Sequence, residues 1–135
     1  MQRLKTRAQF QAVMAGALIA KTHHFALHRK VLGIKTVSAD RVVPEAVSLF
    51  RGSDAWIGAM VPKRWAKRAV TRNAIKRQIY NVSAGFSHQY SQAAFVVRLR
   101  SSFSAKEFVS ATSEQLKQSV RIEVQALMQA GASAS

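Results

Sequence analysis

Cysteine is absent from the 135 residues of this chain. With it go disulfides, thiolate metal sites and thiol nucleophiles. Acidic residues are nearly as scarce: Asp40, Glu45, Asp54, Glu107, Glu114 and Glu123 are the whole set. A protein that cleaves phosphodiesters with its own groups needs carboxylates gathered on a metal, or histidines paired for proton transfer. The carboxylates here divide between the Asp40–Asp54 region and the expected last helix, and no spacing builds a metal cage. His23 and His24 are adjacent, so a strand would send them to opposite faces; only His24 and His28 could form an acid–base pair. Glycine-rich phosphate loops and nucleophile motifs are missing. No apolar run reaches the roughly 18 residues that cross a bilayer, so no membrane partner is expected. Met1 to Arg7 is basic and Ala12 to Ala20 moderately apolar, the outline of a signal peptide. Gln9, Phe10 and Gln11 interrupt it and no cleavage site follows, so a cytosolic protein is expected.

What the chain does have is positive charge. Its net charge is +15 and its isoelectric point about 11.6. Self-repulsion on this scale opposes a compact state, so a polyanionic partner is implied. Between Asp54 and Glu107 lie ten Lys or Arg and no carboxylate, so the excess belongs to the centre of the fold and not to a tail. At 48% hydrophobic residues, the length suits one domain with its own core.

Periodicity divides the chain into helices and strands. Thr6 and Gln9 have the capping-box spacing, and Phe10, Val13, Met14 and Ala17 share a face, which predicts a helix from Arg7 to Ala15 stopped near Gly16. Phe25 to Val31 alternates as a strand, with Phe25, Leu27, Arg29 and Val31 on one side and His24, Ala26, His28 and Lys30 on the other. Gly33 to Pro44 reads as a loop, then Ala46–Phe50 and Trp56–Val61 as an antiparallel pair about a short turn. A helix follows from Lys67 to Ala84, with Ile75, Ile79, Val82 and Phe86 in one stripe and Gly85 at its end. Ala93 to Arg100 is the clearest strand. A second capping box at Ser104 and Glu107 opens a helix from Ala105 to Met128, leaving 129–135 as a frayed tail. The order helix, strands, helix, strand, helix describes an α+β or α/β two-layer sandwich with about four strands and three helices, a single domain over 1–135.

Lys63 to Arg77 carries seven cations and no acid. A helix face that is merely solvated tends to mix signs and gain i,i+4 pairs. A run of one sign with apolar residues beneath it is a folded surface for phosphate, to which Arg offers a planar fork and Lys a point charge. Phe10 and Phe25 suit either core packing or stacking on single-stranded bases.

The segment also resembles the bacterial ribonuclease P protein subunit. That family carries a Lys-Lys or Lys-Arg pair at a strand end and then Arg-Asn-Arg-x-x-Lys-Arg on a helix; here these are Lys63-Arg64 and Arg72-Asn73-Ala74-Ile75-Lys76-Arg77. Arg7 to Val13 is similar to the family's first helix, His24 to Leu27 to its first strand, Ile57-Gly58 to the residues before the basic pair, and Phe95 to Val97 to the later strand. The resemblance implies a sandwich with a left-handed strand–helix–strand crossover, against ordinary handedness. It implies partnership with a large catalytic RNA that removes the 5′ leader of precursor tRNA in the bacterial cytoplasm. The Mg²⁺ ions would be held mainly by that RNA, and no protein oligomer would be required. Lys63, Arg64, Lys67, Arg68, Arg72, Asn73, Lys76 and Arg77 become contacts to the catalytic RNA, while Phe10, Met14, Phe25 and His28 would line a leader cleft between the sheet and the first helix. Ala74 and Tyr80 stand where the family commonly has arginine, and His28 where an aromatic is frequent.

Two other functions fit charge alone or histidine alone. One is a ribosomal or RNA-chaperone protein that binds structured RNA without any part in cleavage. The other is a histidine-dependent nuclease acting by itself.

Overall fold

The computed structural model describes residues 2–31, 55–86, 89–90, 93–103 and 114–134. Among them three helices pack on a five-stranded mixed sheet. The strands are β1 (Gln2–Arg3), β2 (Ala17–Lys21), β3 (Phe25–Val31), β4 (Trp56–Met60) and β5 (Ala93–Leu99). The helices are α1 (Arg7–Met14), α2 (Ala69–Ala84) and α3 (Glu114–Ala134). Sheet order is β1-β4-β5-β3-β2. β4 runs parallel to both β1 and β5, whereas β3 is antiparallel to β5 and β2. Parallel neighbours β4 and β5 have α2 between them in the chain, a strand–helix–strand arrangement.

β5 is central, and an apolar run buried on both faces is what that position demands. Its alternation builds two cores. Phe95, Val97 and Leu99, with Phe25, Leu27, Ile57 and Ala59, meet Ile75, Ile79 and Val82 of α2 and Leu116, Val120, Val124 and Leu127 of α3. Ala94 and Val96 meet Leu4 and Val13 beneath α1, with Phe10, Met14, Trp56 and Met60 packed around them.

The first capping box forms as its spacing predicts. Gln9 N–H donates to Thr6 Oγ1 at 3.1 Å, and Gln9 Oε1 accepts from Thr6 N–H at 3.0 Å. α1 then reaches Met14, and the chain turns through Gly16 into β2, a strand that periodicity did not predict. β2 is an edge strand with exposed or half-buried residues and a register shift between Leu18 and Ala20, so it carries little alternation. β1 is two residues long, too short for any period. Together with the three expected strands that fall among the described residues, these two make the five of the sheet. Ala46–Phe50 lies outside the described residues, and both described neighbours of β4 are parallel, so the expected antiparallel pairing is not seen there.

α2 begins at Ala69 and not at Lys67. Pro62 O accepts from Trp65 N–H and Ala66 N–H at 3.1 and 3.2 Å, closing a turn first. Arg72 Nη1 then donates to Ala66 O at 3.0 Å and Lys67 O at 2.9 Å, holding those carbonyls outside the helix.

The last helix corrects a second boundary. It continues past Met128 to Ala134, so residues 129–134 are helical where a frayed tail was expected. A Cβ at Gly131 would run into the Leu27 side chain and come within 2.7 Å of Tyr90 Oη, which donates to Met128 O at 2.7 Å. Burial pushes the Tyr90 phenol up to about 12, keeping it a donor. The β2–β3 hairpin is fastened to the same helix by Glu123. Its carboxylate accepts from Thr22 Oγ1 at 2.6 Å and His24 N–H at 2.5 Å, and lies 2.8 Å from His24 Nδ1. The proposed Ser104–Glu107 capping box lies outside the described residues.

Candidate nucleic-acid interface

The basic residues of the motif lie on the β4–α2 connection and on α2 itself. Lys63, Arg64, Lys67, Arg68, Asn73 and Arg77 are exposed, and Arg72 and Lys76 half-buried. Among the described residues no carboxylate pairs with any of them; the ion pairs present are His24–Glu123 and Lys117–Glu114. Trp65 is half-buried against the larger core, with the Arg64 guanidinium 5.4 Å above its ring. It anchors the loop from which Lys63 and Arg64 project.

The helix start reinforces the charge. α2 has no acidic residue in its first turn and no side-chain cap on Arg68. Cations at a helix N-terminus are disfavoured by the dipole, by about 0.3–1 kcal/mol each near the surface. Among the described residues no carboxylate offsets Lys67 and Arg68 there, so side chains and backbone add to a positive local potential. Folding gains nothing from this; an approaching anion does.

Ala74 is buried at 7% exposure, beside Ile75 and Gln78. Its lack of charge therefore opens no gap in the exposed cationic face.

The cleft residues divide between the two faces of the sheet. Cross-strand register puts Gly58, Val96, His28 and Leu18 in one row, with Met60, Arg98 and Ala26 in the next. α1 lies over this face. A Cβ at Gly58 would stand 2.6 Å from Phe10 Cε1, so glycine there is what lets the Phe10 ring lie on the strand. Phe10 and Met14 are half-buried beside Trp56 and Met60. Leu18, at 50% exposure, extends the apolar strip towards solvent.

Phe25 is not part of this group. It is fully buried on the opposite face, under α2 and α3, and cannot line a cleft with Phe10, Met14 and His28. The strand's alternation already required this, since Phe25 and His28 differ by an odd number of residues.

His28 is buried, and Arg98 Nε donates to its Nε2 at 3.2 Å. That bond assigns the ring proton to Nδ1, which has no hydrogen-bond partner among the described residues. Burial, and then the Arg98 charge, hold the His28 pKa below its usual value, so the imidazole is neutral at neutral pH. Arg98 was missed by sequence reasoning. Its signal was present: a cation two positions after buried Val96, on the same face of an otherwise apolar strand. The His24/His28 acid–base pair does not assemble, because His24 is committed to Glu123 and stacked between His23 and Phe103 at 4.2 and 3.9 Å. Among the described residues no three His, Asp or Glu side chains come together to hold a metal. No described helix is long and apolar enough to cross a membrane.

An α+β sandwich with a helix-covered core on each face and cations of one sign along a strand–helix connection defines a class of small domains built to meet a polyanion. Comparison with protein families makes this specific. The Ribonuclease P family model matches residues 1–127, and the chain belongs to that family, which supplies the protein subunit of a ribonucleoprotein endoribonuclease in tRNA processing. Comparison with curated protein sequences finds no match. Among solved structures, the Staphylococcus aureus RNase P protein is similar at 18% identity and a TM-score of 0.58, over 96% of this chain and 90% of that one. The Thermotoga maritima RNase P protein is similar at 16% identity and a TM-score of 0.58, over 93% and 97%. At such identities the structural likeness establishes the shared fold.

Proposed function

We propose that this chain acts as the RNA-binding cofactor of a catalytic RNA, promoting Mg²⁺-dependent removal of the 5′ leader from precursor tRNA in the bacterial cytoplasm. The observation that carries the proposal is the one-signed surface, without a carboxylate partner among the described residues, formed by the motif residues of a ribonuclease P family member. Lys63, Arg64, Lys67, Arg68, Arg72, Asn73, Lys76 and Arg77 bind phosphates of the catalytic RNA, releasing its counterions. The face under α1, with Phe10, Met14 and His28 joined by Arg98 and Met60, receives the single-stranded leader through stacking and apolar contact.

Chemistry is assigned to the RNA. In this reading the Mg²⁺ ions are held mainly by the RNA, whose phosphates offer the hard oxygen ligands that Mg²⁺ prefers. The protein's own steps are to bind, to orient the leader and to offset charge.

Reconstitution tests this. Protein alone should leave precursor tRNA intact, and added to the cognate catalytic RNA it should give leader removal at low Mg²⁺ beyond that of the RNA alone. Cleavage by protein without RNA would overturn the assignment of chemistry. RNA binding with no stimulation would favour a ribosomal or chaperone role.

A further inference from the structure

A basic pocket of about 340 Å³ lies between β1 and α2, lined by Arg3, Asn73, Lys76, Arg77, Tyr80 and Asn81. The α2 residues follow one another at i, i+3, i+4, i+7 and i+8, a single helix face. None of the six is acidic. Arg3 comes from outside the basic segment, seventy residues earlier than Asn73 in the chain.

Tyr80 organises the pocket. Its hydroxyl accepts from Ala59 N–H at 3.2 Å. β1 pairs with β4 only as far as Ile57, so this amide lies beyond the paired residues and Tyr80 supplies its acceptor. The ring so fixed carries the Arg3 guanidinium 4.1 Å above its centroid. Arg3 is positioned from its own side by pairing with Ile57, and by buried Leu4, whose N–H donates to Ile57 O at 2.9 Å. A guanidinium held over a ring through its π face retains N–H donors that can grip a phosphate in two places.

We infer that this pocket is a phosphate subsite for the catalytic RNA, in which Arg3, presented by the Tyr80 ring, supplies a cation that α2 itself lacks at position 80. The inference rests on the proposed binding of catalytic RNA and adds a contact outside the basic segment. Arg3, Lys76 and Arg77 converge on one backbone phosphate, and the amides of Asn73 and Asn81 donate to its oxygens or to the adjoining ribose.

The full-length protein is titrated with the catalytic RNA of ribonuclease P, and separately with precursor tRNA, over a series of KCl concentrations. Arg3→Ala should weaken catalytic-RNA binding on the order of tenfold and flatten the log–log salt slope by about 0.7–0.9, one phosphate's worth. Arg3→Lys should keep the slope but recover only part of the affinity, since an ammonium neither stacks flat nor binds in two places. Tyr80→Leu should weaken binding as well, and combined with Arg3→Ala should add less than its separate effect, because both changes remove one presented cation. An Arg3→Ala slope equal to wild type overturns the inference, and a lowered melting temperature with that same slope would assign Arg3 to the fold. A loss confined to precursor tRNA would overturn the choice of partner. Failure of the unaltered protein to bind catalytic RNA would instead remove the functional proposal beneath it.

Discussion

Phe25 and Phe10 offer a direct separation of stability from substrate contact. Phe25 is fully buried between β5 and the two large helices, paired in register with Leu99 and tilted against Phe103 at 6.0 Å between ring centres. Its truncation to alanine should cost about 3–5 kcal/mol, the range for a phenylalanine lost from a packed core. For a domain of this size that lowers the melting temperature by roughly 10–20 °C. Phe10 is half-buried on the other face, its ring resting on Gly58. Phe10→Ala should cost less, about 1–3 kcal/mol, because only part of the ring leaves water on folding. The assay pairs thermal unfolding by circular dichroism with precursor-tRNA affinity of the reconstituted ribonucleoprotein, measured against leader length below both melting points. Phe25→Ala should keep the leader dependence of the unaltered protein, and Phe10→Ala should flatten it. Total stability is itself on the order of 5–15 kcal/mol, so Phe25→Leu, costing under about 1.5 kcal/mol, keeps the comparison in range should Phe25→Ala unfold. A Phe25 variant of near-normal stability that loses leader dependence would refute the division of faces.

Two further perturbations follow from the hydrogen bonds. Burial opposes ionisation of Glu123, but the bonds from Thr22, the His24 N–H and the His24 ring outweigh it and hold the carboxyl below its usual 4.5. Its contribution is therefore fully present above the unfolded value and is lost as pH falls through the lower folded value. Glu123→Gln should cost about 1–2 kcal/mol in denaturant unfolding at neutral pH, allowing for partial exposure, and the gap from the unaltered protein should close as pH falls through the lowered folded value; a gap that persists in acid would remove the charge from the explanation. Arg72 binds two loop carbonyls, so Arg72→Ala should both flatten the RNA salt slope by about 0.7–0.9 and lower the melting temperature. Arg72→Lys should restore the slope without restoring the melt, and recovery of both would mean the forked contact to Ala66 and Lys67 is immaterial.

Much of the fold was legible because its signals are local. Thr6 and Gln9 carry a capping box that depends on four consecutive residues, and β5 announces itself as an unbroken apolar run. β1 and β2 were not legible, for a physical reason. A two-residue strand owes its existence to the amides and carbonyls of β4, and an exposed edge strand with a register shift has no face to keep apolar. The end of α3 was hidden similarly: Gln129 and Ala130 look like a tail, whereas Gly131 is small because Leu27 and Tyr90 press against it. In the site, the cations of 63–77 were readable from charge alone. Arg3 was not, because only the sheet brings β1 beside α2. Misplacing Phe25 with His28 was different in kind, since strand parity contradicted it from the start.

The two faces of the sheet explain how so cationic a chain stays folded. The α2 and α3 face holds the larger core, and none of the basic motif's charged side chains is among its buried members. The motif cations lie beyond that core, half-buried only where Arg72 and Lys76 extend along it. Charge repulsion therefore acts mainly through water, where salt screens it within about 10 Å at 0.1 M. The smaller core under α1 is less closed: Met60, Arg98 and Leu18 keep part of their surface in solvent there, and the buried His28 Nδ1 finds no hydrogen-bond partner among the described residues. A surface that does not complete its own packing can accept a ligand without first being taken apart. Under the proposed function, an RNA reaching both the cationic strip outside α2 and the α1 face would need no rearrangement of the larger core.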